Sequence, residues 1–283
     1  MTGRRALIGL SLLCALAFTA FSAASASAAT TTEGTTAVTC VAEPLNHGDF
    51  ADAHCDTTKT GEGAFKHVAI TETTEVTGTN EKTASETTAS TPAVLEATVG
   101  GIATKLEAKK VDSLCSLTNS STGEKPAVDS WTLSKCKVTY TEVAVTTPAN
   151  CTVHSPGQAA GTVVTNELMG TLVGNGTSSM SVKFEPEGVG PPPFFELEFA
   201  GASCAINGLK PTVTGDASAT LSGQSEMVNG AGHLTRSSGA TFTINVTKAQ
   251  KTLIVGGQAA AYRAVETSKM KEGNPIGTTE ENF

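Results

Sequence analysis

Aromatic side chains are scarce in this chain, making up 5% of 283 residues with one Trp and two Tyr. Sugar-binding β-domains usually offer flat aromatic platforms. Trp131, Tyr140 and Tyr262 are too few for that, and Trp131 reads as core. Charge is sparse as well, at 16% of residues, with no block of Lys or Arg. An acidic chain without a basic run has no electrostatic reason to hold nucleic acid or an anionic membrane surface. Beyond residue 29 no segment is apolar enough to span a bilayer. Strong helical periodicity is missing. So are H-E-x-x-H, C-x-x-C, a phosphate-binding Gly loop and the G-x-S-x-G elbow. The nearest phrase to the elbow, Gly201-Ala202-Ser203-Cys204-Ala205, lacks the final Gly. The five histidines (His47, His54, His67, His154, His233) are scattered. Sequence alone therefore assigns no catalytic residue, no metal ligand and no cofactor.

What is there begins with the compartment. Arg4 and Arg5 precede an apolar run from Ala6 to Phe21, and small-residue cleavage sites such as Ala26-Ser27-Ala28 follow. That pattern predicts a secretory signal peptide over 1–29, too short for an anchor. Leu13 before Cys14 is too large for a lipoprotein signal, and the flanks of Arg4-Arg5 fit a twin-arginine signal poorly. Removing two arginines moves the net charge from −8 to −10, with 17 basic residues against 27 acidic. Six cysteines remain: Cys40, Cys55, Cys115, Cys136, Cys151 and Cys204. An even number in an exported chain predicts up to three disulfides among fifteen pairings. Chain proximity favours 40 with 55, then 115 with 136 and 151 with 204.

Period-2 alternation dominates the rest. Met180, Val182 and Phe184 alternate with Ser181, Lys183 and Glu185; Phe242, Ile244 and Val246 alternate with Thr243 and Asn245. Val213, Ala217, Ala219 and Leu221 share one face of VTGDASATL. In WTLSKCKVTY the phase slips between Leu133 and Cys136, and a β-bulge near Ser134-Lys135 would put both apolar sets on one face. Turn pairs at Gly100-Gly101, Gly174-Asn175-Gly176, Asn207-Gly208 and Gly256-Gly257 punctuate the strands. The expected fold is all-β: an antiparallel sandwich or barrel-like body, disulfide-stapled, with a small N-terminal cysteine hairpin. The expected division is a signal peptide at 1–29, the disulfide hairpin region at 30–70 and the main β domain at 93–283. Between them, 71–92 has one large apolar residue, Val76, and reads as an exposed linker, long loop or marginal helix. Pro191-Pro192-Pro193 reads as a rigid loop.

Two clusters invite chemistry. NHGDFADAHCDTT packs His47, Asp49, Asp52, His54, Cys55 and Asp56 closely. The two His are seven apart and Cys55 has a disulfide partner, so a tetrahedral zinc set does not form. The aspartates miss the alternate-residue calcium template. A turn closed by Cys40–Cys55 is the better account. In PFFELEF, Glu196 and Glu198 share one strand face opposite Phe195, Leu197 and Phe199. Two carboxylates about 7 Å apart can serve glycoside hydrolysis, though a charged outer face over an apolar inner one explains them as well. Asn119, Asn150, Asn175 and Asn245 lie in glycosylation sequons, which matter only in a eukaryotic secretory pathway.

Cys40 followed by Gly48-Asp49-Phe50-Ala51-Asp52-Ala53-His54-Cys55, then Gly63-Ala64-Phe65, resembles a segment of secreted, uncharacterised actinobacterial proteins. Its form there is C…G-x-[FY]-x-[DN]-x-x-C, then G-x-[FY]. TPAVLEATVGG (91–101), TNEL (165–168) and KFEPEG (183–188) are similar to later parts of such proteins. The resemblance implies a bacterial source and no assigned activity. The resulting expectation is a secreted or envelope-associated, non-enzymatic interaction or structural protein. Its partner is unknown and extracellular or in the cell wall, with no nucleic acid and no integral membrane segment. The alternative is a secreted polysaccharide hydrolase using Glu196 and Glu198.

Overall fold

The computed structural model describes residues 36–53, 55, 57–81, 91–119, 131–173, 180–190, 192–222, 240–270 and 277–279. The signal-peptide reading at 1–29 lies outside these residues, as do His54, Asp56, Asn175, Pro191 and His233. Among the described residues every regular element is a strand. The first four are β1 (Thr36–Ala42), β2 (Gly48–Phe50), β3 (Thr58–Gly63) and β4 (Phe65–Ala69). Next come β5 (Thr74–Glu81), β6 (Ala93–Val99), β7 (Ile102–Ala108), β8 (Lys110–Asn119) and β9 (Trp131–Thr141). The middle of the chain forms β10 (Ala144–Thr147), β11 (Thr152–His154), β12 (Val163–Val164), β13 (Leu168–Val173) and β14 (Met180–Pro186). It continues with β15 (Phe195–Glu196), β16 (Glu198–Ala200), β17 (Thr212–Gly215) and β18 (Ala217–Ser222). The last are β19 (Ala240–Val246), β20 (Leu253–Val255), β21 (Gln258–Ala259), β22 (Ala261–Met270) and β23 (Gly277–Thr279).

Eight of these close into an antiparallel barrel. β5, β8, β9, β13, β14, β18, β19 and β22 pair in chain order, and β22 returns to β5 through Met270 and Val76. Closure removes the unpaired edges that an open sheet exposes. Strand direction alternates, so the excursions after β5, β9, β14 and β19 all leave from one rim. They are β6–β7, β10–β12, β15–β17 and β20–β21. They build a cap, in which β15, β17, β20 and β21 form a small sheet and β11 pairs with β16. β7, β6 and the start of β22 extend the barrel wall toward this cap.

The alternation read from sequence points into the barrel. Val182 and Phe184 are buried opposite Ala219 and Ala217, while Lys183 and Glu185 pair with each other at 2.8 Å outside. The phase slip on β9 is a bulge: the register shifts opposite Leu114/Ser116, and Lys135 takes a φ of 50°. Trp131, Leu133, Cys136 and Tyr140 are thereby all buried. At the capped rim, Phe194 and Leu197 are fully buried, and the barrel and cap share one hydrophobic core. Phe194 alone contributes about 2–3 kcal/mol by removing its ring from water.

The stretch expected to link two domains supplies a barrel strand. Residues 74–81 form β5, with Val76 and Gly78 buried. Its low hydrophobicity misleads because the barrel asks little of its inward face here. Gly78 leaves room for Ser113, Ser268 and Glu266, whose side chains lie 2.4–2.8 Å from where a Cβ would stand. The cysteine hairpin is likewise larger than expected, a five-stranded sheet in the order β23-β1-β4-β2-β3. It meets the barrel at the rim opposite the cap. There Asn119 donates to the carbonyls of Ala37 (2.9 Å) and Ile70 (2.8 Å) and accepts from the Ala37 N–H at 2.8 Å.

Three disulfides staple these parts: Cys40–Cys55, Cys115–Cys136 and Cys151–Cys204. They match the pairing that chain proximity favours. On chain-entropy grounds they contribute from about 3 kcal/mol for the shortest loop to about 4 kcal/mol for the longest.

Candidate functional site

The motif Gly48–Phe65 is built from scaffold positions. A Cβ on Gly48 would lie 2.1 Å from the Phe65 carbonyl oxygen, and one on Gly63 would lie 2.2 Å from that of Phe50. Backbones this close admit only glycine. Phe50 is buried against Cys40 and Cys55, with Phe65 packed on them. The Asp52 carboxylate accepts from the Thr57 N–H at 2.8 Å, and that of Asp49 from the Gly61 N–H at 3.1 Å. These carboxylates close turns, and no group of three metal-binding side chains gathers among the described residues.

The barrel interior holds a polar group that sequence reasoning missed. On β22 the inward face reads Tyr262, Ala264, Glu266, Ser268, Met270. Glu266 accepts from Ser113 Oγ at 3.0 Å and from Ser268 Oγ at 3.3 Å. Burial among apolar neighbours pushes its carboxyl above the ordinary range. The two serine hydrogen bonds oppose that shift and the nearby Asp112 charge reinforces it. Toward the cap, the Tyr140 and Tyr262 hydroxyls hydrogen-bond to each other, their rings edge-to-face at 6.4 Å. Burial raises both phenols well above their usual range. The pair separates two cavities of about 30 Å³ each. One is apolar and lies under the cap beside Phe195; the other is lined by Glu266 and Ser113. Each has room for about two waters, far below the several hundred Å³ of an organic-ligand site. Among the described residues the lumen is therefore a packed core with one buried carboxyl.

The roomier concavity lies outside the barrel wall. A polar cleft of about 160 Å³ is lined by Lys137, Ser155, Gln158, Thr165, Asn166 and Glu196, with Pro156 and Val164. Four separate segments converge on it. Lys137 points outward from β9 just past the bulge. Ser155 and Gln158 follow β11, Thr165 and Asn166 lead into β13, and Glu196 ends β15. The floor is fixed by hydrogen bonds. Buried Ser155 Oγ accepts from the Val164 N–H at 3.0 Å and donates to the Glu196 carbonyl at 2.8 Å. Thr165, also buried, accepts from the Val138 N–H at 3.0 Å, which leaves its O–H free to donate. Asn166 Nδ2 donates to the Pro193 carbonyl at 2.8 Å, leaving its carbonyl oxygen as an acceptor. Above this floor, Lys137 and Glu196 are exposed, and neither makes an ion pair among the described residues.

The two sequence-proposed carboxylates part company here. Glu196 lines the cleft, whereas Glu198 lies with Lys210 Nζ at 2.9 Å and His154 Nε2 at 3.6 Å. Sequence alternation foresaw their charged face but not that only one would border a concavity. The alternation of β22 did carry a signal for Glu266, an acid in phase with Tyr262, Ala264 and Met270. For the cleft no local signal exists, because its residues come from positions 137 to 196. The chain matches no protein-family model, no curated protein and no solved structure.

Proposed function

We propose that this protein is an exported, non-enzymatic interaction module of the bacterial envelope or its surroundings, and that the polar cleft is its recognition surface. The cleft carries the reading. It is a preformed concavity of about 160 Å³ with hydrogen-bonding groups fixed by the fold and two charges at its rim that have no ion-pair partner among the described residues. Ligand sites combine such a rigid shell with a few convergent polar groups. Three disulfides fit an oxidising compartment, and among the described residues no helix is long and apolar enough to cross a membrane. The residues resembling secreted actinobacterial proteins act as scaffold at Gly48, Phe50, Asp52, Cys55 and Gly63, which suits a rigid, stapled carrier of a surface site.

The hydrolase alternative needs two carboxylates flanking one glycosidic bond. Glu198, held by Lys210 beyond the cleft, does not stand across it from Glu196. Ser155, one of two hydroxyl side chains lining the cleft, is engaged by backbone on both sides. The deciding experiment incubates the oxidised protein with isolated envelope material and a panel of soluble glycans. Saturable retention without release of reducing ends is expected. Hydrolysis abolished by Glu196→Gln and Glu198→Gln would instead establish the enzyme.

A further inference from the structure

Lys137 and Glu196 border the same cleft, and neither has an ion-pair partner among the described residues. A simple anion at Lys137 would share the cleft with the Glu196 carboxylate, and a simple cation at Glu196 would share it with the Lys137 ammonium. Electrostatic complementarity to both is met by a ligand that carries both charges. The floor repeats this duality. Thr165 has a hydroxyl proton to donate, Asn166 has a carbonyl oxygen to accept, and the Gln158 amide can do either. Size narrows the class further. On the scale that gives each lumen cavity about two waters, a cleft of about 160 Å³ has room for about ten, still short of the several hundred Å³ of sites that enclose larger organic ligands. It suits one small amino acid.

We propose that this cleft binds a zwitterionic amino-acid group, an ammonium and a carboxylate carried on one carbon, with the carboxylate on Lys137 and Thr165 and the ammonium on Glu196 and Asn166. The assignment rests on the interaction-module reading and names the ligand class of that same surface. Both charged side chains are exposed, so replacing them leaves the packed floor intact.

The test is calorimetric titration of the full oxidised chain with free glycine, with acetate and methylammonium as single-charge controls. Millimolar or tighter glycine binding is expected, with each control much weaker. Lys137→Met and Glu196→Gln should each weaken glycine about tenfold at unchanged melting temperature. Absence of binding overturns the proposal, and so does acetate binding as well as glycine. Glycine binding indifferent to both substitutions also overturns it, by placing the site elsewhere. Envelope retention measured on the same samples separates the two levels. Retention without glycine binding removes the zwitterion alone, whereas loss of both removes the interaction module.

Discussion

The barrel with its cap and the N-terminal five-stranded sheet solve the same problem with different means. The first supplies most of one continuous cluster of 39 buried hydrophobic residues among the described residues, including Trp131, Phe184 and Phe194, to which the small sheet adds Ala37 at the seam. The second has a cluster of three, Cys40, Phe50 and Cys55, with Phe65 against it. A region with so little apolar burial cannot offset the entropy of ordering its chain by hydrophobicity alone. It relies on a covalent tie, on backbones brought together at Gly48 and Gly63, and on the Asn119 clamp. The comparison teaches where each kind of bond counts: a disulfide matters most where the core is smallest.

Four changes test that contrast. The largest effect belongs to Phe194→Ala, which opens a void where cap meets barrel. It should cost about 3–5 kcal/mol and lower the single melting transition of the whole molecule in calorimetry. A loss confined to the cap would show that barrel and cap are separate cores. Second, Cys40→Ser with Cys55→Ser removes about 3 kcal/mol, felt locally. Amides of residues 36–69 should exchange rapidly while β8 and β9 stay protected; uniform loss of protection would refute the division. Third, Asn119→Ala strips three hydrogen bonds from the seam and leaves backbone groups of Ala37 and Ile70 unpaired, at about 1–3 kcal/mol. It should loosen the small sheet with all three disulfides intact, which limited proteolysis will show.

The smallest effect is a pH slope inside the barrel. Burial raises the folded-state carboxyl of Glu266 above the unfolded value of 4.5. Its contribution is fully present below that value and is lost as pH rises through the folded one. Melting temperature should therefore decline over that window in the native chain and stay flatter in Glu266→Gln. Parallel curves would mean the carboxyl is not desolvated after all.

Much of this architecture was legible because a barrel strand needs only alternation, which Met180–Glu185 and Phe242–Val246 display openly. The bulge at Ser134-Lys135 could be read from a parity slip, since a chain must keep Trp131 and Tyr140 on the same side. β5 was not legible. Its inward positions include Gly78, chosen for the space it leaves beside Glu266, so hydrophobicity gives no sign of burial there. Nor could local pattern decide between sandwich and barrel, because the deciding contact joins Val76 to Met270. The cleft is hidden for the same reason: its chemistry exists only once β9, the segment before β13 and β15 are adjacent.

That closing contact also dictates how the molecule can come into being. Neighbouring strands can zip as soon as they are available, but the last seam links Val76 to Met270, 194 positions further along the chain. Such topologies fold slowly, and until β22 arrives the growing sheet keeps two open edges able to recruit other chains. A chain stopped before residue 261 would yield no smaller barrel, only an uncurled, adhesive sheet. Length, for this fold, is all or nothing.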